Sequence, residues 1–250
     1  MKERQKKMVK LINDSGAISF SQLKIAFPNV SDMTIRNDLK ALDELKLIVR
    51  VHGGAKSVDR IIGTDDVINK RLIRNVEKKN EIANKAVKLL DKGTSVFLDS
   101  GSTLTSFAQK IPDQSHLIFT SGMPCAMELA KLQEVHLFII GGKINKLSMS
   151  VYGSNSCDRI KELNYDIAFL GTTGFIKGIG FNCGSDEEAS LKRSIISRAD
   201  KVVILMDSTK VDISNPFNFA SVNDIDIVVS DNKLEETLVK YFQNNNVEVR

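Results

Sequence analysis

The sequence predicts an α/β protein in two parts: a small helical N-terminal domain ending in a basic strand, and a larger, mostly parallel α/β domain. Three observations carry this expectation. From residue 77 onward short apolar runs alternate with helical segments, and several runs are apolar throughout, as strands are when helices cover both sheet faces. Before that, apolar residues recur at helical spacing in three short segments. The charge is also uneven: residues 1–60 carry 12 Lys and Arg against 7 Asp and Glu, whereas the remainder carries 23 against 24. A small basic end on a near-neutral body fits polyanion binding at one end.

Met8, Leu11 and Ile12 predict a first helix over 3–14, closed by Gly16. A second, short helix runs from Ser19 or Ser21 to Phe27 and is stopped by Pro28. Ser31 then stands as N-cap before DMTIRNDLKALDELK, with Asp32 in the first turn, where the helix dipole favours an acid. Spacing puts Ile35, Leu39 and Leu42 on one face of this third helix. Met33, Arg36, Asn37 and Lys40 lie on the other face, with Thr34 on the flank. Such a face suits a DNA major groove, because Arg can grip guanine in two places and Asn can do the same with adenine. The sequel LIVRVHGGA is β-branched and alternating, with Arg50 and His52 to one side and Gly53-Gly54 ending the run. Three helices followed by a basic strand describe a winged helix-turn-helix. We therefore expect this domain at 1–57, a linker at 58–76 and the larger domain at 77–250.

In the larger domain, Ile82, Ala86, Leu89 and Leu90 mark an amphipathic opening helix ended by Gly93. The strands are expected at TSVFL, HLIFT, VHLFII, YDIAFLG, KVVILM and IDIVVS, with VEVR as an edge strand. In such sheets ligands gather outside the strand C-termini, so the residues after each strand are the candidate site. They are Asp99, Ser100, Gly101, Ser102 and Thr103; Thr120 and Ser121; Gly141, Gly142 and Lys143; Thr172 and Thr173; Asp207 and Lys210. Loops of glycine and hydroxyl residues that lead into helices cradle anions, phosphate above all. Glu187 or Glu188 and Lys192 fall close to one face of a helix capped by Ser185 or Asp186, and Lys192 is expected to offer charge to the phosphate at the pocket mouth.

Cys125, Cys157 and Cys183 are far apart, against a disulfide framework or a zinc site; no metal or cofactor is expected. MKERQKKMVK is followed by no apolar core, and no stretch approaches a membrane span, so the expected location is the cytoplasm and no membrane contact is expected.

TIRNDL at 34–39 and HGGA at 52–55 resemble the DNA-binding domain of DeoR-type bacterial transcription regulators, whose patterns are T-I-R-R-D-L and H-G-G-A. Asn37 stands where that pattern has its second arginine. DSGST, TS, IIGG, FLGTTG, EASLKR and DSTK are similar, in order, to motifs of the same family's C-terminal domain, so the resemblance runs from about residue 3 to 232. It implies a sugar-phosphate-sensing domain of a fold related to ribose-phosphate isomerases and CoA transferases. It also implies a repressor of sugar-metabolism genes that releases double-stranded operator DNA when the phosphorylated sugar binds. Helix-turn-helix modules act in pairs on half-sites, so a homo-oligomer, dimer or tetramer, is expected. The alternative is an isomerase or CoA-transferase-like enzyme carrying a helix-turn-helix. An isomerase needs a carboxylate base beside the reacting carbon. The fourth loop, where related enzymes often carry an acid, holds Thr173, which is no base.

Overall fold

The computed structural model describes residues 3–15, 17–45, 47–51, 53–57 and 67–250. The chain divides into two compact units, Met1–Thr64 and Asp65–Arg250.

In the smaller unit α1 spans Glu3–Ser15, α2 Phe20–Ala26 and α3 Asp32–Glu44. Ser19 caps α2 in a reciprocal box with Gln22, and Ser31 caps α3 by accepting from the Thr34 amide at 3.2 Å. Met8, Ile12, Leu23, Ile35, Leu39 and Leu42 close the core between the helices. The wing is larger than expected: β1 (Ala17–Ser19), β2 (Ile48–Val51) and β3 (Gly54–Ser57) form an antiparallel sheet of order β1-β3-β2. The three residues of β1 are too short a run to show a period of two. Gly16 and His52 lie outside the described residues.

The larger unit begins earlier than residue 77. Residues 58–66 of the expected linker are not described, but α4 (Ile68–Leu72) belongs to this unit, where the Ile68 amide donates to the Leu147 carbonyl at 2.8 Å. Helix α5 (Val76–Ala86) follows. The expected strands are β4 (Ser95–Leu98), β5 (His116–Thr120), β6 (Val135–Ile139), β9 (Ile167–Gly171), β12 (Val202–Leu205), β14 (Ile227–Val229) and β15 (Glu248–Val249). They form one sheet of order β15-β14-β12-β9-β4-β5-β6, in which every pairing is parallel.

Neighbouring residues of one strand enter different cores, which is why these strands are apolar throughout. Val96 and Leu98 pack with Ile82, Leu104 and Phe107 on one face, while Phe97 joins Tyr165, Leu170 and Ile204 on the other. Helices α6 (Ser102–Ala108) and α7 (Met123–Leu129) follow β4 and β5, and α8 (Ser154–Lys161) and α9 (Asp186–Ile196) flank β9. Two smaller pieces were not foreseen: the hairpin of β7 (Lys143–Asn145) and β8 (Ser150–Tyr152), and an antiparallel sheet of β10 (Gly174–Ile176), β11 (Gly180–Cys183) and β13 (Phe217–Ala220).

Candidate functional site

Chain order within the sheet locates the crevice. From β4 the chain steps to β5 and β6 on one side, then returns to lay β9 on the other side of β4 and proceeds to β12, β14 and β15. The loops after β4 and β9 therefore part in opposite directions, and ligands of open α/β sheets bind at such a point. Because the sheet is parallel, the loops after β4, β5, β6, β9 and β12 all lie at one rim.

Three of these loops are packed together. A Cβ on Gly122 would lie 2.9 Å from Ser100 Cα, and one on Gly171 would lie 2.9 Å from a Leu104 methyl and 3.5 Å from the Ser100 carbonyl oxygen. Gly101 holds φ at 124°, a conformation that side chains rarely allow, and this turns the chain from β4 into α6. Asp99, buried at the centre, accepts from the Gly171 amide at 3.1 Å and from the Ser121 hydroxyl at 3.4 Å.

Lys192 does not point to a pocket mouth. It is 1% exposed, donates to Asp99 Oδ2 and, at 2.9 Å, to the Gly171 carbonyl, and lies 3.2 Å from Glu188 Oε1. An ammonium has three donors, so these three oxygens occupy it. Burial alone would strip its proton, but Asp99 and Glu188 outweigh that and raise its pKa. Lys192 thus ties the β4 loop to β9 and α9 instead of offering charge outward. Thr172 is likewise used internally, its hydroxyl donating to the Gly174 carbonyl at 2.7 Å, and Thr120 accepts from the Gly122 amide at 3.0 Å. Thr173 is partly exposed beside it, and Ser100 and Thr103 are partly exposed on the first loop, where Ser102 is buried.

Gly141, Gly142 and Lys143 are exposed: Ser156 of α8 donates to the Gly141 carbonyl at 2.7 Å, Lys143 pairs with Tyr152 in the hairpin, and the Val151 amide of that hairpin donates to the Ser121 carbonyl at 2.7 Å. On the other side Asp207 is buried and accepts from the Thr209 amide at 3.0 Å, with Lys210 three residues on.

Arg71, in the segment expected to be a linker, and Lys78 and Lys79, at the start of the helix after it, bring cations to this rim. Arg71 of α4 places Nη2 3.4 Å from where a Cβ of Gly101 would be, directly over the first loop. Lys79, buried in α5, donates to the Arg71 carbonyl and, at 2.5 Å, to that of Arg74, holding the turn that carries Arg71. Burial lowers the Lys79 pKa to about 8; Asp207 opposes this, and Arg71, Lys210 and Arg74 add to it. Lys78 donates to Ser208 at 2.6 Å and lies 3.4 Å from buried Asp231. The only sequence signal was the charged run KRLIRNVEKKN, whose location no periodicity discloses. The rim can hold an anion: hydroxyls and a glycine turn on one side, Arg71 and a repelled cluster of cations on the other.

In the smaller unit, Met33, Arg36, Asn37 and Lys40 are all exposed on α3, opposite buried Ile35, Leu39 and Leu42. Thr34 is partly buried and exchanges a hydroxyl hydrogen bond of 2.8 Å with Ser31. Arg36 lies over the Phe20 ring, its Cζ 4.6 Å from the centroid, which fixes the guanidinium between α2 and α3. Asp38, on the buried side, accepts from Arg4 at 2.6 Å and Gln5 at 3.0 Å, so that carboxylate is kept from the exposed face. Arg50 is exposed on β2, and its amide donates to Asp43 at 3.1 Å.

Fold and site together define a class: a helix-turn-helix DNA-binding regulator with an α/β ligand-sensing domain. Residues 4–61 match the DeoR-like helix-turn-helix domain and residues 74–232 the DeoR C terminal sensor domain, and the chain belongs to this family of transcription regulators. It is 32% identical to the HTH-type transcriptional regulator GolR of Listeria innocua serovar 6a, over 99% of this chain and 97% of that protein. It is 30% identical to GlpR of Haloferax volcanii over 93% and 91%. With the lactose phosphotransferase system repressor of Staphylococcus epidermidis it shares 28% over 92% of each. A ribose 5-phosphate isomerase of Methanocaldococcus jannaschii aligns in structure with 55% of each chain, at 19% identity and a TM-score of 0.41. The sequence relatives are regulators, and this chain is a regulator and not an enzyme. Among the described residues no helix is long and apolar enough to cross a membrane.

Proposed function

We propose that this chain is a cytoplasmic repressor of sugar-utilisation genes, acting as an oligomer whose hold on operator DNA is set by a phosphorylated sugar. The observation that carries the reading is the rim at the β4/β9 divide, where the Ser100–Thr103 loop faces Arg71. The phosphate sits between that loop and Arg71, with Lys79 and Lys210 adding charge, and the sugar hydroxyls extend toward Thr173 and Ser121. Lys192 positions the site without touching the ligand. Met33, Arg36, Asn37 and Lys40 read the operator's major groove, with Ser31 and Thr34 at the helix start and Arg50 and His52 on the backbone beside it.

Arg71 gives the effector a route to DNA, because it belongs to the segment that follows the wing in the chain. A ligand shifts the regulator between states only by its difference in affinity for them, typically ~1–3 kcal/mol. The test is a thermal-shift screen of phosphorylated and unphosphorylated sugars, followed by operator gel shifts with each hit. A phosphorylated sugar is expected to raise the melting temperature of the chain and release operator, while its unphosphorylated counterpart does neither. A response to the free sugar alone would remove the phosphate from the proposal.

A further inference from the structure

The seven-stranded sheet has two edges of different character. At one end, β15 is two residues long, contains Glu248 and is followed by Arg250, a short and charged edge of the kind that resists pairing. At the other end lies β6, five residues in unbroken register with β5, without proline, bulge or lysine. The Ile140 amide donates to the Thr120 carbonyl, so the backbone groups of His136, Phe138 and Ile140 turn toward β5. Those of Val135, Leu137 and Ile139 point outward, and among the described residues no strand meets them.

Both faces beside this open edge carry exposed apolar side chains, with His136 also exposed on the Phe138 face. On one, Leu137 and Ile139 line a groove of about 360 Å³ with Met123, Ala126 and Met127 of α7 and Ala130 just after it. Met127 is 70% exposed and Ile139 49%. On the other face Phe138 stacks on Phe119 at 5.2 Å and leaves half its surface in solvent. No charged side chain occurs from Val135 to Gly142, and Glu128 and Lys131 near the groove neutralise each other at 2.5 Å.

We infer that β6 and the α7 groove beside it form the face through which two copies of this chain associate, by antiparallel pairing of one β6 with the other. An exposed strand edge presents a row of N–H and C=O groups ready to pair with another edge, and the same strand turned about a two-fold axis is its own complement. With the axis at Leu137, that residue faces itself across the pair and Val135 faces Ile139, all three with outward backbone groups. The uncharged edge brings no like-charge repulsion, and the groove and Phe138 extend the contact on both sides of the sheet. This inference is independent of the ligand bound at the rim; it assigns a surface to the pairing that the helix-turn-helix requires.

The test is sedimentation of the full chain over a range of concentrations. The unaltered chain is expected to be dimeric or a multiple of a dimer at micromolar concentration. Met127→Glu and Ile139→Lys, both at solvent-facing positions, are each expected to weaken association at least about tenfold with unchanged far-UV dichroism. Leu137→Cys is expected to cross-link into a covalent dimer on mild oxidation, because opposed residues of a hydrogen-bonded antiparallel pair stand about 5.5 Å apart at Cα, within disulfide reach. A monomeric parent chain overturns the inference. So does an oligomer that survives both substitutions while Leu137→Cys fails to cross-link.

Discussion

The two basic regions of this molecule handle charge in opposite ways. On α3, Arg36, Asn37 and Lys40 stand in solvent; Arg36 makes a ring contact to Phe20, and Lys40 pairs loosely with Glu44 at 3.9 Å. At the sheet rim, Lys79 and Lys192 are buried, and carbonyls or carboxylates occupy their donors. Solvent-facing cations cost the fold little and remain available to a polyanion, whose release of counterions drives binding. Buried cations are costly unless paired, so they fix geometry: Lys192 ties the β4 loop to β9 and α9, and Lys79 holds the turn that presents Arg71.

The contrast predicts where substitutions act. Lys192→Met leaves buried Asp99 and partly buried Glu188 without their cation, and we expect the larger unit to lose about 3–5 kcal/mol in a denaturant titration; a loss below 1 kcal/mol would mean that Lys192 does not tie these elements together. Arg36→Ala should leave stability nearly unchanged and weaken specific operator binding by about 1–3 kcal/mol in gel shifts at fixed salt. Equal loss on operator and random DNA would move Arg36 from bases to phosphates.

Arg71→Ala should weaken phosphorylated-sugar binding by about 1.5–3 kcal/mol in calorimetry, with operator affinity of the free protein retained. An unchanged affinity would take Arg71 out of the site.

The smallest expected effect concerns pH. Lys79 is charged below about 8, so affinity for a phosphate dianion should fall modestly as pH rises through that value. The same group binds fewer protons in the folded than in the unfolded chain between about 8 and about 10, so its titration raises stability in that window. Weaker binding there is therefore not unfolding through Lys79. Calorimetry at pH 7 and pH 9 on the parent and on Lys79→Met separates the two, since only the parent should show the dependence.

Much of this was legible in the sequence because it is local. Ser31 caps α3, Ile35, Leu39 and Leu42 select its buried face, and that choice exposes Arg36 and Asn37 through helical geometry alone. The parallel strands announced themselves by being apolar on both faces. The small strands β1, β10 and β13 did not, because three or four residues, some of them glycine, carry no period. The hairpin after the third loop did not either, because its two strands are three residues each; it begins at Lys143 and bonds to the Ser121 carbonyl through the Val151 amide.

The sequence by itself determined the three N-terminal helices, the seven parallel strands, the two-part division, the exposed face of α3 and the rim that holds Asp99, since each follows from spacing along one strand or helix. Only the tertiary structure decided that Lys192 is buried between Asp99 and Glu188, that Arg71 stands over Gly101, and that β6 stands at the edge of the sheet. Those facts depend on which strands become neighbours and on how deeply a charge is buried. Both are set by long-range packing, to which local periodicity is blind.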